Sequence, residues 1–208
     1  MSYKDPTMTR AKERPSAREA RRLQTRERLL GAALAEFKRS GMADADVGAI
    51  VAAAGVAHGT FYFHFPTKEH VLLEVEQREE VRMANDLARF LNSPHDLTSA
   101  LAEVVRLVAA LEERLGHQLF KDFLALHFSS TRADDAWTDH QVIVLLVREL
   151  ERARDEGEAD PQVDAFYGAV FFLLGLYALL TTTHHSLGPR DAVLEKFVTT
   201  AMSGLRAR

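Results

Sequence analysis

His58, Thr60, Tyr62 and His64 fall within the stretch HGTFYFH, each with a polar tip on a small or aromatic body. Hydroxyls, imidazoles and a phenol at this spacing can exchange hydrogen bonds with base edges and phosphate oxygens. Gly59 allows close backbone approach, and Lys68 adds a cation a few residues on. That is recognition chemistry rather than bond-making chemistry. No histidine pair has His-Glu-x-x-His spacing, no serine sits in a nucleophile-elbow setting, and the chain has no cysteine. His184 and His185 are adjacent and would point to different helix faces, while His117, His127, His140 and His184 could meet only through the fold. Neither an enzyme, a metal site nor a cofactor is expected.

The elements that hold these side chains are short. Asp46 can cap a helix that buries Ile50, Val51 and Ala54. Ala52 and Ala53 keep that helix slim, Gly55 takes a turn, and Val56 plugs the angle. A second helix over 57–64 turns Phe61 and Phe65 inward and leaves His58, Thr60, Tyr62 and His64 nearer the surface. Pro66 ends it, and Thr67 caps the next helix. Two short helices about a glycine turn form a helix-turn-helix, which places one helix in a DNA major groove. Before it, 17–40 reads as a helix with Leu23, Leu30, Leu34 and Phe37 on one face, arginines at its start, and Gly41 as its stop.

Charge follows the same division. Net charge is −4, but residues 1–68 carry 12 Lys and Arg against 7 Asp and Glu, while 69–208 carry 14 against 23. The positive end coincides with the helix-turn-helix, where phosphates need neutralising. The N-terminus has no apolar run after its basic residues, so a signal peptide is not expected and the cytoplasm is. The expected organisation is a flexible basic arm over 1–16, a DNA-binding domain over 17–67, and a helical body over 68–208.

The body reads as helices over 68–92, 97–115, 117–129, 137–156, 163–185 and 191–205, giving an all-α chain of about nine helices. Val71, Leu72, Val75, Val81 and Leu87 mark the inner face of the 68–92 helix. The run 165–183 is borderline in length for a membrane span but is expected to be a buried helix, with no membrane partner. Phe171, Phe172, Leu173, Leu174, Leu176, Tyr177, Leu179 and Leu180 leave that helix almost no polar face. A helix apolar all round must be covered on all sides, so a second copy is expected over the last two helices. Leu194, Phe197, Val198, Ala201 and Leu205 supply the second stripe.

Residues 48–73, GAIVAAAGVAHGTFYFHFPTKEHVLL, resemble the TetR family of bacterial transcriptional regulators, through Ile50-Val51, Ala54-Gly55-Val56, Gly59-Thr60, Tyr62, His64-Phe65 and Lys68-Glu69. The resemblance implies a homodimer reading a palindromic operator in double-stranded DNA. His58, Gly59 and Thr60 would face bases, Tyr62 and His64 phosphate or thymine methyls, and Lys68, Arg22 and Thr25 the backbone. Two departures stand out. Asp46-Val47-Gly48 replaces the usual polar start of the second helix, so Asp46 is expected to turn into a cap. His58 stands where many relatives carry Lys, Arg or another polar residue. The family architecture also implies a small-molecule pocket in the body, and a small hydrophobic or aromatic effector that releases the operator. In this chain its expected lining is Leu111, Phe120, Phe123, Leu124, His127, Phe128, Val142, Leu146, Phe166, Val170, Phe171, Leu174 and Tyr177. The alternatives are a ligand-independent DNA-binding protein and an all-helical enzyme.

Overall fold

Ser16 starts the first helix by accepting from Glu19 N at 3.2 Å, and α1 then runs Ala17–Asp44. The computed structural model describes residues 16–128, 140–182 and 188–206. The expected arm over 1–16 apart from Ser16, the loop at 129–135, the helix start at 137–139, and His184 and His185 lie outside the described residues. The helix breaks where expected, at Gly41 (φ 79°, ψ 161°), before a last turn. Burial begins only at Leu29. Leu23, expected on the inner face, is 42% exposed, because the first turns of α1 bury no side chain. Leu29, Ala33 and Phe37 are fully buried.

Asp46 accepts from Gly48 N at 2.7 Å and opens α2 (Val47–Ala54), the cap expected from sequence. Gly55 sits in the left-handed region (φ 63°, ψ 42°), where a Cβ would crowd the following carbonyl. Its N–H and that of Val56 close onto Ala52 O and Val51 O at 3.1 and 3.0 Å. This sets α3 (His58–His64) at 96° to α2. Ile50, Phe61 and Phe65 are fully buried between them and α1.

The rest comprises α4 (Lys68–Leu91), α5 (Leu97–Leu115), α6 (His117–His127), α7 (Gln141–Asp155), α8 (Ala165–Thr182) and α9 (Arg190–Leu205). The described residues are therefore all-helical. Asp96 and Ser99 open α5 with a reciprocal capping box. Val81, expected inward on α4, is 42% exposed. It follows Leu73 and Gln77 at four-residue intervals and shares their outward row, while Val71, Leu72, Val75, Met83, Ala84 and Leu87 face in. One apolar core runs from Leu29 through α4 to Met202. α8 is long and apolar enough to cross a membrane, with mean hydropathy 1.8, but it packs on α5, α6, α7 and α9. A Cβ at Gly175 would stand 3.2 Å from the Phe197 ring, so this glycine lets α9 close onto α8.

Buried charge is matched locally. Glu149 takes Arg152 and His95, and Glu112 takes Arg190 at 2.7 Å. In the head, Glu36 accepts from Arg39 at 2.6 and 2.9 Å and from Asp46 N at 3.2 Å. The Arg39 bonds, then that N–H, hold its carboxyl down to about 2, from a usual 4.5. A depressed carboxyl stabilises the fold above its unfolded pKa and loses that contribution as pH falls toward the folded one. Glu36→Gln is therefore expected to be less stable than wild type near neutral pH. In urea titrations the gap should close between about pH 4.5 and about pH 2; a pH-independent gap would show that the carboxylate is not ionised in this role.

Candidate nucleic-acid interface and body site

The outer row of α3 presents His58, Gly59, Tyr62 and Phe63 to solvent. Tyr62 is 49% and Phe63 76% exposed, and the His58 and Tyr62 rings lie 5.7 Å apart. No Cβ neighbour lies within 4 Å of Gly59, so the surface there is open to approach. Thr60 is half-buried at the first turn, its N–H bonded to Ala57 O at 2.9 Å. On α1, Arg22 is exposed and Thr25 half-buried.

Two expected contacts are placed differently. His64 was expected near the surface but is 7% exposed. It follows Phe61 by three residues and so falls on the same inward side. Burial first, then the nearby Arg26 and Arg22 charges, lower its pKa below 6.5, so it is neutral at pH 7 and offers phosphate no cation. Lys68 is half-buried, and its ammonium donates to Ala43 O at 2.6 Å and Ala45 O at 3.2 Å. Those carbonyls belong to the last turn of α1 and to its connection with α2, so Lys68 ties the start of α4 to both.

In the body, Phe120, Phe123, Leu124, Leu111, Val142, Leu146 and Tyr177 are buried and Phe166 and Val170 half-buried, as an interior lining requires. Phe171 and Leu174 are not interior. At 65% and 37% exposure they face outward with Tyr167, because the α8 row 167, 171, 174 is opposite the one packed on α7. Phe128 is also 42% exposed, at the end of α6. Phe120 and Phe123 stack at 6.4 Å, and the His127 ring lies 6.5 Å from Phe123, 5.4 Å from His140 and 6.3 Å from Tyr177. Into this aromatic group α4 sends two carboxylates. Glu76 is 3% exposed and bonds His127 Nδ1. Glu80 accepts from Gln141 N at 2.8 Å and stands 3.9 Å from His140 Nδ1. Burial, then the charges of Glu76 and Glu80, push the Tyr177 phenol up, so it stays a neutral donor. Among the described residues no group of three His, Cys, Asp or Glu is arranged to hold a metal ion.

Residues 29–75 match the family of bacterial regulatory proteins, tetR family. Through this N-terminal segment the chain is similar to the TetR family. The HTH-type transcriptional regulator AcrR of Shigella flexneri is 31% identical over 83 residues, and that stretch is 39% of this chain and 39% of AcrR. The fold extends further than the sequence likeness. The fatty acid degradation regulator FadR from Bacillus halodurans superposes with a TM-score of 0.68 at 21% identity, over 86% of this chain and 99% of FadR. A transcriptional regulator FadR from Bacillus subtilis, in complex with stearoyl-CoA, gives 0.71 at 18%, over 86% and 99%.

Sequence reasoning missed Phe63 and the Glu76–His127 pair. Phe63 could have been found as the aromatic one position after Tyr62 and out of register with Phe61 and Phe65. Glu76 had no signal, since an acid between Val75 and Gln77 reads as a solvated position. The His64 assignment is open to direct measurement: in histidine-edited NMR its imidazole is expected to titrate with a midpoint below 6.5. A midpoint at or above that value would mean a solvated, outward-facing ring.

Proposed function

We propose that this chain is a dimeric one-component transcriptional repressor. It binds a palindromic operator through the helix-turn-helix of a 17–67 DNA-binding domain, with 1–16 as a basic arm. A small hydrophobic or aromatic effector bound in the 68–208 body releases it. The observation that carries the reading is the uncovered row His58, Gly59, Tyr62 and Phe63 on a helix set at 96° to its neighbour. An exposed phenylalanine has no use in water, and against a thymine methyl it supplies apolar base discrimination. Arg22, Thr25 and Thr60 lie on the same head for phosphate and base contacts; His64 acts from inside and Lys68 through the α1–α2 connection. Such a regulator works in the cytoplasm and catalyses nothing.

The outward apolar row of α8 supports the dimer, because Tyr167, Phe171 and Leu174 beside α9 need a cover that a second copy supplies. The aromatic interior with the Glu76–His127 pair supports the effector site: apolar walls hold a ligand body and a few polar groups orient it. The FadR–stearoyl-CoA complex is a precedent for a large apolar ligand in this fold. α4 carries Glu76 into the body and Lys68 into the head, so a ligand that shifts the one moves the other.

Fluorescence anisotropy with duplex DNA from the region beside the gene, against a random duplex, tests the reading. Preferential, saturable binding to the first is expected, with Phe63→Ala losing on the order of tenfold in that preference; equal binding to both would leave a non-specific binder. In sedimentation at micromolar concentration the wild type is expected to be a dimer and Phe171→Glu a monomer. A monomeric wild type would remove the two-fold operator from the proposal.

A further inference from the structure

Arg26 touches three elements at once. Its Nη1 donates to the main-chain oxygen of His64, its Nη2 pairs with Glu74, and its guanidinium lies 4.2 Å from the centre of the Phe65 ring. His64 and Phe65 end the recognition helix, Glu74 belongs to α4, and Arg26 itself to α1. The His64 carbonyl lies in the last turn of α3, where carbonyls lack intrahelical partners. A fixed, planar donor is well suited to it and to a carboxylate together. Glu74 is shared in turn: Arg78 donates to it at 2.5 Å and to Glu27 on α1 at 2.8 Å. Arg26 and Glu74 are only 27% and 14% exposed, so water competes little for these bonds.

Resting on the DNA-binding reading above, the geometry points to Arg26 and Glu74 as positioning residues that fix the end of the recognition helix to α4. They act on operator recognition without touching DNA. Arg26 looks like one more basic residue of a basic head, but its charge is met by Glu74 and its donors point inward. A head without this tie keeps its phosphate contacts and loses the fixed angle at which α3 meets the bases. Discrimination falls and general affinity for DNA does not.

Three variants and salt-dependent anisotropy separate positioning from charge. Arg26→Met keeps apolar cover on Phe65. It is expected to weaken operator binding on the order of tenfold, with random-duplex binding and the salt slope unchanged. Arg22→Gln, a phosphate contact in the proposed function, should weaken both duplexes and lower the slope by about 1. Glu74→Gln gives opposite signs: removing an acid near DNA tightens binding if charge alone matters, and weakens operator binding if the tie matters. Circular dichroism melts identify any variant that has not folded, and Glu74→Gln, which adds no bulk, stands if Arg26→Met fails. Tighter operator binding by Glu74→Gln, or equal losses on both duplexes with a lower slope for Arg26→Met, would overturn the inference. No operator preference in the wild type would instead overturn the reading it rests on.

Discussion

Helical periodicity gives α4 several faces and one rigid axis, and the molecule is arranged around that constraint. Over two turns it sends Glu74 and Arg78 toward α1 and Glu76 and Glu80 toward the body, while Val71, Leu72 and Val75 fill the core shared by both. Glu74 and Glu76 stand two residues apart on one helix, so a displacement of that backbone segment moves both. A second link runs from α6, where Asp122 accepts from Met42 N at 3.0 Å beside the Gly41 break. The same α6 carries Phe120, Phe123 and His127. Head and body thus meet through two helices that both line the aromatic interior.

The polar groups on these helices differ in what burial demands of them. On α3 the exposed surface carries His58, Tyr62 and Phe63, and the buried side holds Phe61 and His64, with Phe65 just beyond. In the body an acid is buried. A carboxylate at 3% exposure is costly unless its oxygens are met, and Glu76 is held by His127. A well-packed apolar pair of similar volume would stabilise the body with less difficulty.

Much of this was legible in residue order. Asp46, Gly55, Pro66 and the spacing of Ile50, Phe61 and Phe65 set the head, because caps, left-handed turns and helix stops are local chemistry. The break at Gly41 and the body helices follow from apolar periods and polar interruptions. What was not legible is which face has a neighbour. Leu23, Val81, Phe171 and Leu174 are apolar enough for an inner face, yet among the described residues each stays partly exposed. His64 was assigned outward on its polarity, although its place three residues after Phe61 puts it inside. Arg26 and Glu74 stand far apart in sequence, and nothing local tells a guanidinium that bridges helices from one that is solvated.

For the proposed dimer, Tyr167 and Phe171, at 57% and 65% exposure in the single chain, also set a clock. Aromatic surface of this kind attracts chaperones and degradation machinery as long as it stays bare. In the dimer proposed above, its concealment by a second copy is a bimolecular event, so the wait lengthens as copies become scarce. On that proposal, supply of the polypeptide and its lifetime are linked through two rings on one helix.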